Sequence, residues 1–195
     1  YRHTFVIDLP PGYSDQDGIN NKRLYADPLV LTESPSGSGY HVGRGLGVIA
    51  PESDKDWWSF EARAGDVVSI SVATPESELD PIVYLRNPSG DILDVDDNAG
   101  PGDDAFISHQ VIAESGRHFF EIYTTYRGNT QGAYELRVDL VRGIDLESDA
   151  NFANDEIADA DPVGLTAVAE SRLSGTVVGT VMGDDDTDLF FLGAL

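Results

Sequence analysis

The chain has 195 residues, of which 12 are Lys or Arg and 35 are Asp or Glu, for a formal charge of −23. That balance excludes a nucleic-acid or anionic-membrane partner, because phosphates attract basic side chains and would be repelled here. Cysteine is absent, which removes disulfide frameworks, zinc–thiolate sites and cysteine nucleophiles, and no apolar run reaches the roughly 18–20 residues of a helical membrane span.

Strand signals dominate the chain. Residues 3–9 (HTFVIDL), 67–72 (VVSISV), 82–85 (IVYL), 118–123 (HFFEIY) and 134–140 (YELRVDL) are short, rich in β-branched and aromatic side chains, and mostly alternating. Turn formers separate them: AGD at 64–66, NPSG at 87–90, SG at 115–116 and GN at 128–129. This pattern predicts an all-β sandwich. A period of 3.6 is not sustained anywhere, which leaves room for one helical turn near residues 20–25 and one near 154–159. Asp80-Pro81 reads as a strand opening, where proline is tolerated. Trp57 and Trp58 are adjacent, so in a strand one must face outward; Trp57 is expected to do so and to cover a neighbouring domain or linker.

Internal matches organise the rest. NNKRLYADPLVL (20–31) recurs as NDEIADADPVGL (154–165) at an offset of 134 residues. GVIAPESDKDWWSFEA (47–62) recurs as GTVMGDDDTDLFFLGA (179–194) at 132, and HTFVIDLPPG (3–12) parallels YELRVDLVRG (134–143) at 131. Three matched blocks in one order read as tandem repeats. Residues 1–11 are then the last strand of a preceding repeat and 12–141 one complete sandwich. Residues 142–150 are a linker, and 151–195 open a second sandwich. An opened sandwich leaves strand edges unpaired. The chain therefore reads as a window on a longer array, with strand exchange between subunits as the alternative.

The ordered blocks GDVVSISV, ELDPIVYLRNPSGDILDVDDNAG, DDAFISHQVIAESGRHFFEIYT and GAYELRVDL, within residues 65–140, resemble the bacterial pre-peptidase C-terminal domain. Asp54, Asp56 and Trp58 match that family's D-x-D-x-F strand. The resemblance implies a jelly-roll-type antiparallel β-sandwich, found as an ancillary module on secreted peptidases and other exported proteins. The collagen-binding domains of clostridial collagenases look similar, and some bind calcium between their N-terminal segment and the D-x-D strand. This chain departs from the E-P-N-D pattern preceding the sandwich: it has GINN at 18–21 and FAND at 152–155, with no Glu in either.

Of the 35 acids, 24 are Asp, clustered near Gly and Asn rather than spread as on helical surfaces. Calcium takes six to eight hard oxygens, so carboxylates must converge from more than one segment. One candidate set is Asp15, Asp17, Asn20 and Asn21 with Asp54 and Asp56, the last two spaced to share one strand face. The second copy offers Asp149, Asn151, Asn154 and Asp155 with Asp186 and Asp188. A third cluster is Asp94, Asp96, Asp97, Asp103 and Asp104 around a GPG turn, without the spacing of an EF-hand loop. Asx turns, caps and a solvated, salt-adapted surface stay open as the other explanation.

Catalysis finds no framework. The four His (His3, His41, His109, His118) are scattered, His118 reads as a surface or edge residue, and no H-E-x-x-H or G-x-S-x-G occurs. Tyr123, Tyr126 and the Tyr40-His41 loop are candidate binding anchors. The expectation is a non-enzymatic, calcium-binding, extracellular or cell-surface module of a stalk, fibre or adhesin. Its partners are neighbouring copies or repeats, or an extracellular protein or polysaccharide. An accessory substrate-binding domain of a secreted peptidase or polysaccharide-degrading enzyme is the alternative.

Overall fold

The computed structural model describes residues 19–75, 77–125, 130–183 and 186–193. A 3-10 turn at Arg23–Tyr25 precedes ten strands: β1 Asp27–Pro28, β2 Thr32–Glu33, β3 Tyr40–Ile49, β4 Asp56–Ala62, β5 Val67–Ala73, β6 Pro81–Arg86, β7 Ile92–Asp96, β8 Ala105–Val111, β9 Gly116–Thr124 and β10 Gly132–Val141. They form two five-stranded sheets in the orders β1-β4-β9-β6-β7 and β2-β3-β10-β5-β8. Within β3 to β10 only the β6–β7 hairpin stays in one sheet, so almost every connection crosses the sandwich.

Alternation decides which side chains fill the space between the sheets. Along β10, Tyr134, Leu136, Val138 and Leu140 are buried and meet Trp58, Phe60, Phe120 and Ile122 from the other sheet. Burying side chains of this size contributes about 1.5–3 kcal/mol each. β3 carries glycine where these large rings press: a Cβ on Gly47 would collide with the Tyr134 ring, and one on Gly45 would lie 2.8 Å from Trp58. Trp58 Nε1–H donates to the Tyr134 hydroxyl (2.9 Å), and that hydroxyl donates to Asp56 Oδ2 (2.6 Å). The buried polar atoms of both rings are thus satisfied inside the core.

His118 overturns the surface reading. It is 0% exposed because it shares strand parity with Phe120 and Ile122, and it packs on Phe60 with ring centroids 5.8 Å apart. Phe119, Glu121 and Tyr123 take the outer face instead. Trp57 does face outward, where the Arg86 guanidinium lies over its ring. Tyr40 and His41, expected in a loop, open β3.

Beyond β10 the chain forms short pairings. β11 (Asp145–Leu146) runs parallel to β15 (Val177–Val178), β12 (Asp161–Pro162) runs parallel to β16 (Phe190–Phe191), and β13 (Thr166–Ala169) forms a hairpin with β14 (Arg172–Ser174). Residues 154–159 are turns rather than a helical segment. The β11 region docks on the sandwich edge: Leu146 O lies 2.7 Å from His109 Nδ1, Asp149 N–H donates to Ser108 Oγ, and Asn151 N–H donates to Ala99 O.

Candidate functional site: an acid cluster after the sandwich

β11 delivers the first acid. Glu147 N–H donates to Val178 O (3.0 Å), extending the parallel pairing by one residue and turning its side chain over Gly179. Two residues later, Asp149 is fixed by its own N–H bond to Ser108 Oγ (2.9 Å). Asn151 and Phe152 then adopt positive φ (59° and 57°), a sharp reversal of the backbone ahead of Asn154. The third segment arrives just before β16, where Leu189 N–H donates to Asn154 O and Asp161 N–H to Leu189 O. Asp186 and Asp188 lie immediately ahead of that pairing, on one side by strand period.

Glu147, Asp149 and Asp188 converge, with ligand oxygens all within 4.8 Å of one another. Glu147, Asp149 and Asn154 are buried, at 3%, 0% and 0% exposure. Oxygens without hydrogen-bond partners gather there: Glu147 Oε2, both Asp149 oxygens, Asn154 Oδ1, Asp186 Oδ1 and Asp188 Oδ1. Burial, reinforced by Asp188, Asp149 and Asp186, pushes the Glu147 carboxyl up to about 8. Burial and the neighbouring Asp186, Asp188 and Asp155 push Asp149 up to about 7. Asp188 is raised for the same reasons, burial first and Asp186 next. Carboxylates packed this way favour either bound protons or a cation, since each charge is poorly solvated and faces its like.

The remaining predicted residues of this set have other partners. Asp155 Oδ1 accepts the Thr187 N–H (2.9 Å), Asp186 Oδ2 accepts from Met182 N–H, and Asn151 is exposed. Glu147 was not among the residues predicted as ligands. Its E-x-D spacing with Asp149 repeats the D-x-D spacing of Asp186 and Asp188, but the same spacing recurs at 15/17, 94/96 and 159/161 and does not single it out.

In the earlier set, Asp15 and Asp17 lie outside the described residues. Asn20 is fully buried and its carbonyl accepts the Trp57 N–H (3.1 Å), which places it beside Asp56. Asp54 accepts Ala50 N–H and Lys55 N–H and closes the turn before β4, while Asn21 is exposed. The third cluster does not converge. Asp96 Oδ2 accepts three backbone N–H groups, from Asn98, Ala99 and Phe106, and Asp104 Oδ1 accepts the Thr74 N–H and hydroxyl. Asp94 accepts the N–H of Val95 and Asp103 is exposed; Asp97 is half-buried in the same loop.

A second feature occupies the outer face of the β4–β9–β6 sheet. Tyr84 and Tyr123 stack with centroids 5.5 Å apart, Lys55 sits 4.0 Å over Tyr123, and Arg86 lies over Trp57 and Tyr84. Glu121 pairs with both cations at 2.8 Å. Tyr126 lies outside the described residues.

Residues 54–140, from the D-x-D strand to the end of β10, match the sequence profile of the bacterial pre-peptidase C-terminal domain family. No curated protein sequence matches the chain. Among solved structures, the chain is similar to Aeromonas hydrophila PliG, a periplasmic lysozyme inhibitor of g-type lysozyme, at 12% identity over 58% of this chain and 93% of that one, with a TM-score of 0.43. It is also similar to the pre-peptidase C-terminal domain of a Bacillus anthracis collagenase, at 18% identity over 49% and 86%, with a TM-score of 0.40. Salmonella Typhimurium PliG gives 22% identity over 56% and 94%, with a TM-score of 0.38.

Proposed function

We infer that this chain is a non-catalytic β-sandwich module of an extracellular tandem array, stiffened by calcium at the segment that follows each sandwich. The observation that carries this reading is the cluster of Glu147, Asp149 and Asp188 beside buried Asn154, with six side-chain oxygens left without hydrogen-bond partners. Every donor is a hard oxygen, four carboxylates and one amide, which suits calcium and not a thiophilic or imidazole-seeking metal. Calcium would supply the positive charge that the site lacks. Glu147 and Asp149 would hold it from the linker, and Asn154, Asp186 and Asp188 from the unit that follows. Because Asp149 N–H and Asn151 N–H are bonded to Ser108 and Ala99, a cation held there would fix the following segment against the sandwich.

The repeat reading is supported by a doubled local pattern. Asp27-Pro28 pairs parallel with Trp58-Ser59, as Asp161-Pro162 pairs with Phe190-Phe191. The sequence offsets between the two are 134 and 132 residues, those of the matched blocks. A stalk, fibre or adhesin is the setting such an array fits. The accessory-domain reading draws on the family match and on the Trp57–Tyr84–Tyr123 face as a docking surface.

Thermal unfolding after exhaustive chelation tests the calcium reading. Millimolar calcium is expected to raise the midpoint by many degrees where magnesium and NaCl do not. Equal effects from all three salts would overturn it.

A further inference from the structure

β8 is an edge strand, and its pairing with β5 is interrupted. Val68 faces Gln110 and Ile70 faces Ile107, so Ser69 alone opposes both Ser108 and His109, which is a β-bulge. His109 adopts a left-handed backbone there, with φ of 53°. Its N–H donates to Ser69 Oγ (3.1 Å) in place of a ladder bond. Glycine meets this conformation without steric cost, whereas a residue with a Cβ is strained in it. A histidine at such a point calls for a role for its side chain.

Both bulge residues grip the segment that follows the sandwich. In a regular strand the side chains of 108 and 109 would point to opposite faces. Here Ser108 Oγ accepts the Asp149 N–H (2.9 Å), and His109 Nδ1 lies 2.7 Å from Leu146 O. A carbonyl oxygen only accepts, so the imidazole carries a proton on Nδ1 and donates it. The opposite edge of β11 is taken by the β15 side: Asp145 N–H donates to Thr176 O and Glu147 N–H to Val178 O. β11 is thus a rung shared between the β8 edge and β15, with Leu146 buried at its centre.

We propose that His109 is the positioning residue of the acid cluster: from the β8 bulge it clamps β11 to the sandwich, and so sets where Glu147 and Asp149 stand before any cation binds. The bulge supplies the reach, Ser69 satisfies the N–H that the bulge frees, and Ser108 adds the second grip. Asn151 N–H extends the same docking to Ala99 O. Two of the three converging acids are therefore placed by contacts with the sandwich, while Asp188 arrives from the segment ahead of β16. The effect on cation affinity rests on the calcium reading above, whereas the clamp itself does not.

His109→Gly and His109→Asn separate the side chain from the backbone. Both replacements accept positive φ, but only Asn keeps an N–H donor where histidine has Nδ1. His109 is exposed and lies outside the core, so either full-length variant keeps the packing of the sandwich. In chelator, amide exchange at Asp149 and Asn151 is expected to speed several-fold in His109→Gly, with Leu136, Val138 and Leu140 unchanged. It should return towards the wild-type rate in His109→Asn. Equal rates in wild type and His109→Gly would overturn the proposal, as would an Asn variant that exchanges as fast as the Gly variant. Calcium titration of the same chains should show several-fold weaker binding in His109→Gly and recovery in His109→Asn. A Gly variant that loses protection yet binds calcium as the wild type does also overturns the positioning role. If no chain responds to calcium while the exchange pattern holds, the cation reading falls and the clamp stands. Unchanged exchange with a normal calcium response removes the clamp alone.

Discussion

Asp66, in the loop before β5, is 1% exposed and is held bidentately by Arg142, with Nε–Oδ1 and Nη2–Oδ2 at 2.8 and 2.7 Å. Burial works to raise its carboxyl, but the Arg142 guanidinium and the Arg63 N–H outweigh that and hold it below the usual range. Glu147 and Asp149 are buried to a similar degree, yet they face Asp186 and Asp188 and are pushed upward. The sandwich pairs its buried Asp66, Glu121 and Asp139 with its own arginines, while the acids of the segment after it face one another. Acids compensated within the chain and acids facing their like thus sit side by side in one molecule.

Removing the internal counter-ion should break the first half of this contrast most severely. Arg142→Met leaves Asp66 buried without its guanidinium and is expected to cost about 3–5 kcal/mol, read as a lower urea midpoint with unchanged slope. Next in size, Gly47→Ala forces a methyl against the Tyr134 ring and should cost about 1–3 kcal/mol by the same measurement. In the other half the sign reverses. Asp149→Asn should stabilise the chelated protein at neutral pH by about 1–2 kcal/mol while abolishing its calcium response, seen in paired thermal scans. If that variant were less stable in chelator, the repulsion assigned to the cluster would be wrong.

The pH dependence sharpens the same comparison. Asp66 has a lowered folded-state pKa, so its pairing contributes fully above the unfolded carboxylate value of about 4 and is lost as pH falls through the folded value. The Arg142→Met variant should lack that share of the acid limb, followed by tryptophan fluorescence. The smallest effect belongs to Arg117→Ala. Its 3.2 Å pair with Glu61 joins side chains that are 65% and 70% exposed, and its loss should change stability by no more than about 0.5 kcal/mol.

Strands with unbroken alternation, such as 67–72 and 134–140, were legible because apolar period and burial coincide there. β3 was not: three of its four buried positions are Gly43, Gly45 and Gly47, and the bulk that fills them comes from Leu29, Leu31, Trp58 and Tyr134 elsewhere. A strand whose packing is donated by its neighbours has no hydrophobic pattern of its own. His118 misled for the opposite reason, since polarity suggested the surface while parity with Phe120 and Ile122 placed it inside. At the acid cluster, Asp149, Asn154 and Asp188 could be named from the recurrence of their blocks. Glu147 could not, because it lies in none of the matched blocks and meets Asp188 only once the β11–β15 pairing has formed. Asp96 and Asp104, equally acidic in sequence, turned out to hold backbone amides, a distinction that depends on loop geometry.

β10 lies at the centre of its sheet, with ten residue pairs to β3 and seven to β5. Tension applied at Val141 along the chain would pull this strand lengthwise between its two neighbours. The backbone bonds of both ladders are then loaded together, in shear, rather than opened one after another from an end. Withdrawing β10 lengthwise therefore requires both ladders to yield at once.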